Sequence, residues 1–413
     1  MSGSARSERT LLWLVAAVNF VNVLDFIMVA PLGPDFAVAL HFPVSRLGLV
    51  AGSYTLAAAL AGVAGSAFLD RFDRRSALAV AMAGLVLGTA AAGLAGGLPT
   101  LLAARVGAGI FGGPATSLSI AIVADSVPPE RRGRAMGLVM GAFSVAAVLG
   151  VPAGLWLARV GGWRLPFFGV AGLGAVVVAG ALALMPPMRA HLSRGAAGAE
   201  GYRFLRDPAA RLSLGATAAT MAASFAVIPN LPAFLQFNAG WPRERLGLLY
   251  MAGGALSFAA LRGVGWAIDR FGAPRVAALG TAVLLGNLAV DFYPEAPLLP
   301  AWALFLLFML ANSARNPCLS SLASRVPGPG ERARFQSTQS AVQHLASATG
   351  ALVSARLLDA APGGRLVGTG RLVLFAAPLA LLLPFLLRGV EARVLRREAA
   401  ERFEPAARAA AAP

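Results

Sequence analysis

Long apolar runs alternate with short polar breaks along almost the whole chain. Runs of about 20 apolar residues recur, each long enough to cross a hydrocarbon core of about 30 Å as a helix. The pattern predicts twelve spans, near 10–32, 47–69, 76–96, 99–124, 134–158, 164–187, 209–236, 245–268, 273–292, 298–324, 334–358 and 367–388. Short hairpins such as 70–75 and 95–99 join most of them. The longest internal connection, 188–208, is polar, rich in Gly and Ala, and falls at mid-chain. The organisation predicted is a six-helix bundle (1–187), a cytoplasmic linker (188–208), a second six-helix bundle (209–388) and a tail (389–413). The fold class is an all-α membrane protein of twelve transmembrane helices.

Composition supports this reading. The chain of 413 residues is 57% hydrophobic and 13% charged, where soluble domains average about 25% charged, which excludes a soluble enzyme and a disordered chain. The first apolar run is too long for a cleavable leader and carries no small-residue cleavage pattern. A single cysteine, Cys318, excludes an internal disulfide, and three dispersed histidines offer no metal framework. No cofactor is expected.

The net charge is +16, and all 35 basic side chains are Arg. Such a balance by itself suggests a nucleic-acid partner. Placement on the spans removes that reading. Twenty-four arginines fall on the termini and even-numbered connections, seven on the opposite side, and four inside spans: Arg105, Arg262, Arg315 and Arg356. An Arg excess on one side marks the cytoplasmic side, so both termini are expected in the cytoplasm, with the bilayer as partner.

The two halves repeat each other. Residues 66–75 read SAFLDRFDRR and 265–275 read GWAIDRFGAPR, placing Asp70 and Asp269 199 residues apart. ADSVP at 124–128 and ASRVP at 323–327 share that offset, and each precedes an acidic-then-basic cluster. Duplicated bundles with a site at their interface are an architecture of alternating-access transporters.

These residues carry a resemblance too. The chain resembles the major facilitator superfamily, and within it the twelve-span drug:proton antiporters and sugar-efflux-like permeases. The family's first loop motif, G-x-x-x-D-R-x-G-R-R, is similar to 66–75, with Ser66 and Asp73 in place of its glycines; the repeat keeps Gly265 and Gly272. The fourth-span R-x-x-x-G is Arg105 to Gly109. A shortened fifth-span antiporter motif is Gly150, Pro152 and Gly154. The resemblance implies alternating access driven by an ion gradient, in a monomer. It implies that the cluster Asp70, Arg71, Arg74, Arg75, with Asp269 and Arg270, is a conformational gate locking the cytoplasmic faces of the halves. It places Arg105 towards the central cavity, near the first span.

Asp25 lies mid-span in VNVLDFIMVAPLGP, and a carboxylate inside a membrane is costly and usually functional. Burial favours the neutral form of a carboxylate and a neighbouring cation favours the charged form, so such a group can take up and release a proton. Asn19 and Asn22 share its helix face. Arg105 cannot shed its proton and needs a partner. The expectation is an Asp25–Arg105 pair that protonation or substrate breaks. In the second half, Pro229, Asn230, Pro232 and Gln236 suggest a broken seventh span with exposed carbonyls. Tyr250 lies in the eighth span. Asn312, Arg315 and Asn316 share a face of the tenth, and Gln336, Gln339 and Gln343 stripe the eleventh beside His344. Each is a candidate cavity-lining, substrate-binding residue. Arg315 stands out, as a binder of an anionic group or a second partner for Asp25. The tail is expected as a surface helix on anionic lipid.

The function expected is an inner-membrane secondary transporter exporting a small amphipathic molecule in exchange for protons. Uptake or uniport, a lipid or lysolipid carrier, and a non-transporting receptor or scaffold stay open beside it. No spacing assembles a nucleophile with a base, and no P-loop occurs, so neither an enzyme nor an ATP-driven pump is expected.

Overall fold

The computed structural model describes residues 2–189, 203–294, 297–328 and 331–410. Twelve helical crossings follow one another: α1 (Ser2–Ile27, continued by Val29–Ala39), α2 (Leu47–Phe68), α3 (Arg74–Gly93), α4 (Leu98–Ser126), α5 (Pro129–Val145, continued by Val151–Gly161) and α6 (Arg164–Leu184). The second half holds α7 (Pro208–Val227, with a short turn Leu231–Ala233), α8 (Leu246–Phe271), α9 (Ala273–Asn287), α10 (Ala301–Ala323), α11 (Arg332–Leu357) and α12 (Thr369–Ala410). Among the described residues, ten of the crossings are apolar enough to span a membrane on composition alone. The two that fall short are α10, which carries Asn312, Arg315 and Asn316, and α11, with its Gln stripe. Between α11 and α12 the all-α pattern is interrupted by a small hairpin, Asp359–Ala360 paired with Leu366–Val367. Asn238 extends it by bonding both ways to Leu366, each at 2.9 Å.

Prolines explain where the helices break. Pro31 has no N–H for the carbonyl of Ile27, and α1 is interrupted at Met28, three residues past Asp25. Pro229 and Pro232 break α7. Two carbonyls there are not left free: Ala226 accepts from the Asn230 side chain at 3.3 Å, and Pro232 from the Gln236 side chain at 3.3 Å. That corrects the expectation of exposed carbonyls at these two positions. In α5 a π-turn over Ala146–Gly150 precedes Pro152 and absorbs the distortion.

The repeat in the sequence is a repeat in packing. In the first half α2 packs on α4, α3 on α4 and α6, and α1 on α5; in the second α8 packs on α10, α9 on α10 and α12, and α7 on α11. Glycines set several of these approaches. A side chain at Gly109 or Gly113 would run into the backbone of α2 at Tyr54 or Ala58, and one at Gly350 into the α7 carbonyl of Ala222. One repeated position is solved in two ways. Gly272 turns from α8 into α9 with φ +84°, a conformation glycine adopts freely. Asp73, 199 residues earlier, has φ −55° and caps α3 by accepting from the Ser76 N–H at 3.1 Å.

The halves join on the face away from the termini. There α2 packs on α11, with Gly48 against Ala351 and Ser354, and α5 on α8, with Gly254 against Val148. The continuation of α1 meets the broken segment of α7, and Phe26 stacks on Phe225 at 5.8 Å. Nearer the termini, a cavity of about 170 Å³ separates Ala58, Gly62 and Ser117 from Ser337, Ala341 and His344.

Most of the predicted linker lies outside the described residues; its end, Arg203–Arg206, is a short turn whose Phe204 meets Phe335 edge-on, with ring centroids 5.8 Å apart. The described part of the tail is helical and mostly exposed. It prolongs α12 and docks on the loop after α10: Glu398 takes Arg325 at 2.8 and 2.9 Å, and Arg397 donates to the carbonyl of Val326 at 2.9 Å.

Candidate functional site

The first half encloses a polar centre inside apolar walls. Asp25 is fully buried and Arg105 is 1% exposed. Arg105 Nη1 donates to both carboxylate oxygens of Asp25, at 3.0 and 2.9 Å. Thr89 on α3 donates its hydroxyl to the same carboxylate at 2.8 Å. The guanidinium lies over the ring of Tyr54 on α2, 4.5 Å from its centroid, a cation–π contact that strengthens away from water. The Tyr54 hydroxyl donates to Asn22 Oδ1 at 2.8 Å. Asn22 in turn donates to the Gly112 carbonyl at 2.9 Å and to Thr116 at 2.7 Å. Four helices, α1 to α4, are thereby tied through one charge pair.

Gly112 makes this possible, since any side chain there would occupy the place of the Tyr54 hydroxyl. Asn19 is buried and spans to α5, donating to the Val139 carbonyl at 2.7 Å. Gly150 lets α5 approach Leu24, the neighbour of Asp25: an added Cβ would stand 2.6 Å from its Cδ1. Gly154 faces open space, so the close helix contact that a glycine allows is used at Gly150 and not at Gly154. Pro152 lines the larger cavity.

In the second half the candidates are spread rather than assembled. Asn312 accepts from Ser224 on α7 at 3.1 Å and donates to the Phe308 carbonyl at 2.9 Å. Asn230 donates to Ser354 on α11 at 2.9 Å. Tyr250 packs on Phe305 at 4.8 Å. Asn316 and Gln343 are exposed, and His344 lines the smaller cavity. Arg315 is fully buried, and its three nitrogens have no hydrogen-bond partner. It does not pair with Asp25, whose carboxylate belongs to Arg105 and Thr89; that alternative is corrected.

The gate cluster makes its described contacts within the first half. Arg74 reaches Asp125 at 3.4 Å, and Arg75 donates to the Leu182 carbonyl. Arg71 is exposed. The side chain of Asp70 lies outside the described residues. Asp269 and Arg270 are exposed at the end of α8, with Arg270 against the rings of Trp266 and Phe271 at 5.8 and 5.9 Å. Beside the cluster, burial pushes the Asp73 carboxyl up. The N–H groups of Ser76 and Met188, with Arg189 nearby, outweigh that and hold it below the usual carboxylate range.

Sequence reasoning missed Tyr54, Thr89 and Thr116, since single hydroxyl groups among small residues carry no periodic signal. It also missed an ion pair between the halves. Arg243 at the start of α8 donates through Nε to Asp35 Oδ1 at 2.6 Å, with a second contact between Nη2 and Oδ2. This pair stands in a cavity of about 660 Å³ on the face away from the termini, with Pro152, Trp156, Gln236 and Glu244 in its lining.

Comparison with known proteins agrees with this geometry. Residues 15–351 match the Major Facilitator Superfamily. A chloramphenicol resistance protein of Streptomyces lividans is 29% identical over 384 residues, 90% of this chain and 95% of that one. A tetracenomycin C resistance and export protein of Streptomyces glaucescens is 27% identical over 44% of this chain and 34% of its own length. Among solved structures, a D-xylose–proton symporter superposes with a TM-score of 0.72 at 19% identity, covering 92% of this chain and 96% of that one. A bacterial homologue of the lysosomal transporter Spinster, described as inward-facing and unoccupied, gives 0.71 at 17% identity over 92% and 97%. With its twelve crossings, duplicated bundles and a match over most of its length, this chain belongs to the Major Facilitator Superfamily of membrane transporters.

Proposed function

We propose that the protein exports a small amphipathic molecule in exchange for protons, by alternating access between its two bundles. One observation carries the coupling: a carboxylate and a guanidinium, both buried, bonded to each other in the middle of the first bundle. A proton arriving on Asp25 cancels the charge that holds Arg105. Arg105 is then left with the Tyr54 face, and the ties from α1 to α2, α3 and α4 loosen together. Arg105 is permanently charged, so the carboxylate is the group that carries the proton. Export is supported by the relatives named for chloramphenicol and tetracenomycin C resistance.

The Arg bias supports a cytoplasmic location for both termini in a bacterial inner membrane. On that orientation the joined face is periplasmic, and the conformation is inward-facing. Asn312, Asn316, Gln343 and His344 are the second-half residues proposed to meet substrate.

The test is flux in proteoliposomes with an imposed pH gradient, using a panel of amphipathic compounds that includes chloramphenicol. Wild type is expected to accumulate at least one compound against its gradient, and Asp25→Asn to lose the pH-driven component while folding. Undiminished coupled transport by Asp25→Asn rejects the reading.

A further inference from the structure

The second bundle contains a buried positive charge with no hydrogen-bond or ion-pair partner among the described residues. Arg315 on α10 is fully buried. Nε, Nη1 and Nη2 all lack hydrogen-bond partners among the described residues. Its stem packs against α9 at Gly280, where an added Cβ would stand 3.1 Å from Arg315 Cγ. The other charged group buried in this bundle among the described residues, Asp291, lies in the π-turn that continues α9, eleven residues from Gly280 and roughly 16 Å of helix away. Its carboxylate is already taken by Asn287 at 3.1 Å and the Leu299 N–H at 2.9 Å.

The helices packed on α10 carry two further unpaired hydroxyls. The bond between Ser224 and Asn312 sets the register of α7 against α10. One turn from each towards the terminal face come Thr220 and Arg315. The Thr220 hydroxyl is buried and unpaired, as is that of Thr281, the residue after Gly280. A buried guanidinium with no carboxylate on it and two unpaired hydroxyls able to donate is chemistry that suits an anion. Leaving an isolated charge in such a medium is costly even after relaxation, more so than a lost neutral hydrogen bond.

The first bundle shows what is missing. There Arg105 is neutralised by Asp25. The position 199 residues after Asp25, the repeat offset, is Ser224, which is uncharged. The second bundle has no carboxylate at that repeat position, and its buried arginine stands elsewhere, since the counterpart of Arg105 at the same offset is Leu304.

We infer that Arg315 holds a small monovalent anion inside the second bundle, between α7, α9 and α10, with the hydroxyls of Thr220 and Thr281 as further donors. The ligand chemistry is a compact single negative charge that accepts hydrogen bonds. Free chloride and the carboxylate of a transported compound are its two sources. This site stands independently of proton coupling at Asp25.

The experiment is thermal unfolding of the purified full chain in detergent, in sodium chloride, sodium formate and sodium gluconate at equal ionic strength. Chloride or formate is expected to raise the midpoint saturably above gluconate, by about 3 °C or more when the site is filled. Arg315→Met is expected to lose that increment. A response to chloride as well as formate identifies free anion as sufficient; a response to formate alone identifies a carboxylate ligand. Arg315→Lys keeps the charge without the planar fork, and its half-saturating concentration is expected at least tenfold higher, which serves if the Met variant does not fold. Equal midpoints of wild type in all three salts overturn the site, as does an unchanged anion response in Arg315→Met or, where only that variant folds, in Arg315→Lys.

Discussion

Asp35 and Arg243, 208 positions apart in the chain, face each other across the junction of the two bundles, with Nε 2.6 Å from Oδ1. The pair links the continuation of α1 to the start of α8, and so the halves that must separate for this face to open. Its side chains are about a quarter exposed, so its contribution is modest, below about 1 kcal/mol. That suits a latch that has to release in every cycle.

Removing the latch should shift the conformational balance more than the stability. Asp35→Asn is expected to lower the unfolding midpoint little and to broaden the separation of the halves on this face. Spin labels at positions 38 and 248, beside the larger cavity, read that separation by pulsed dipolar spectroscopy in a Cys318→Ala background. An unchanged distance distribution shows that the pair does not hold the face closed.

Gly48 should be intolerant of any side chain. A Cβ there collides with the Ala351 carbonyl oxygen on α11, and α11 belongs to the other half. Gly48→Val is expected to prevent this face from closing and to reduce transport at least tenfold, with an overpacking cost of about 1–3 kcal/mol in the closed form. Gly62→Ala on the same helix meets nothing within 4 Å and should transport as wild type. Equal activity of the two variants contradicts the packing account.

Breaking the Asp25–Arg105 pair on one side should cost more than breaking both. Arg105→Met leaves a buried carboxylate without its cation and is expected to destabilise by about 3–5 kcal/mol. Adding Asp25→Asn should restore much of that loss without restoring proton-driven flux. Denaturant unfolding of the single and double variants measures the recovery, and additive losses would mean that the two side chains do not act as a pair.

Tyr54→Phe keeps the aromatic face over Arg105 and removes the donor to Asn22. Leaving Asn22 Oδ1 without its partner is expected to cost about 1–3 kcal/mol. Tyr54→Leu removes the face as well and should cost more. Unfolding midpoints ranked Phe below Leu would exclude the cation–π contact as a source of stability.

Asp73 should make the protein acid-sensitive. Its folded carboxyl ionises at lower pH than an unfolded one, so its stabilisation is complete above about pH 4 and is lost as pH falls through the folded value. Asp73→Asn is expected to flatten the dependence of the unfolding midpoint on pH at and below pH 4, and to leave its shape near neutrality unchanged. An identical acid slope in both proteins assigns the sensitivity elsewhere.

Asp25 and Arg105 were legible because charge inside a membrane is costly and a chain keeps it there for a reason. Their bonding was legible as an expectation, since each needs the other. Tyr54 and Thr89 were not, because a lone hydroxyl among small residues looks the same whether it packs or bonds. Asp73 stood out only as a departure from a glycine in a motif; the structure shows why aspartate serves, capping a helix where Gly272 uses a positive φ. The docking of the tail on Arg325 and Val326 was not legible, because alternating Arg and Glu read alike on a membrane surface and on a helix packed against protein.

Apolar run length, proline positions, the 199-residue repeat and the sidedness of arginine are local or one-dimensional properties. The amino-acid order by itself therefore determined twelve crossings in two related bundles. Which polar groups meet depends on how far each helix is rotated and shifted against its neighbours. The glycines set that where they let backbones touch, as at Gly109 and Gly112 beside Tyr54 and at Gly48 beside Ala351. Only the tertiary structure decided how Asp25 and Arg105 bond and which hydroxyls join them, that Asp35 meets Arg243, and that Arg315 is buried with no acceptor among the described residues.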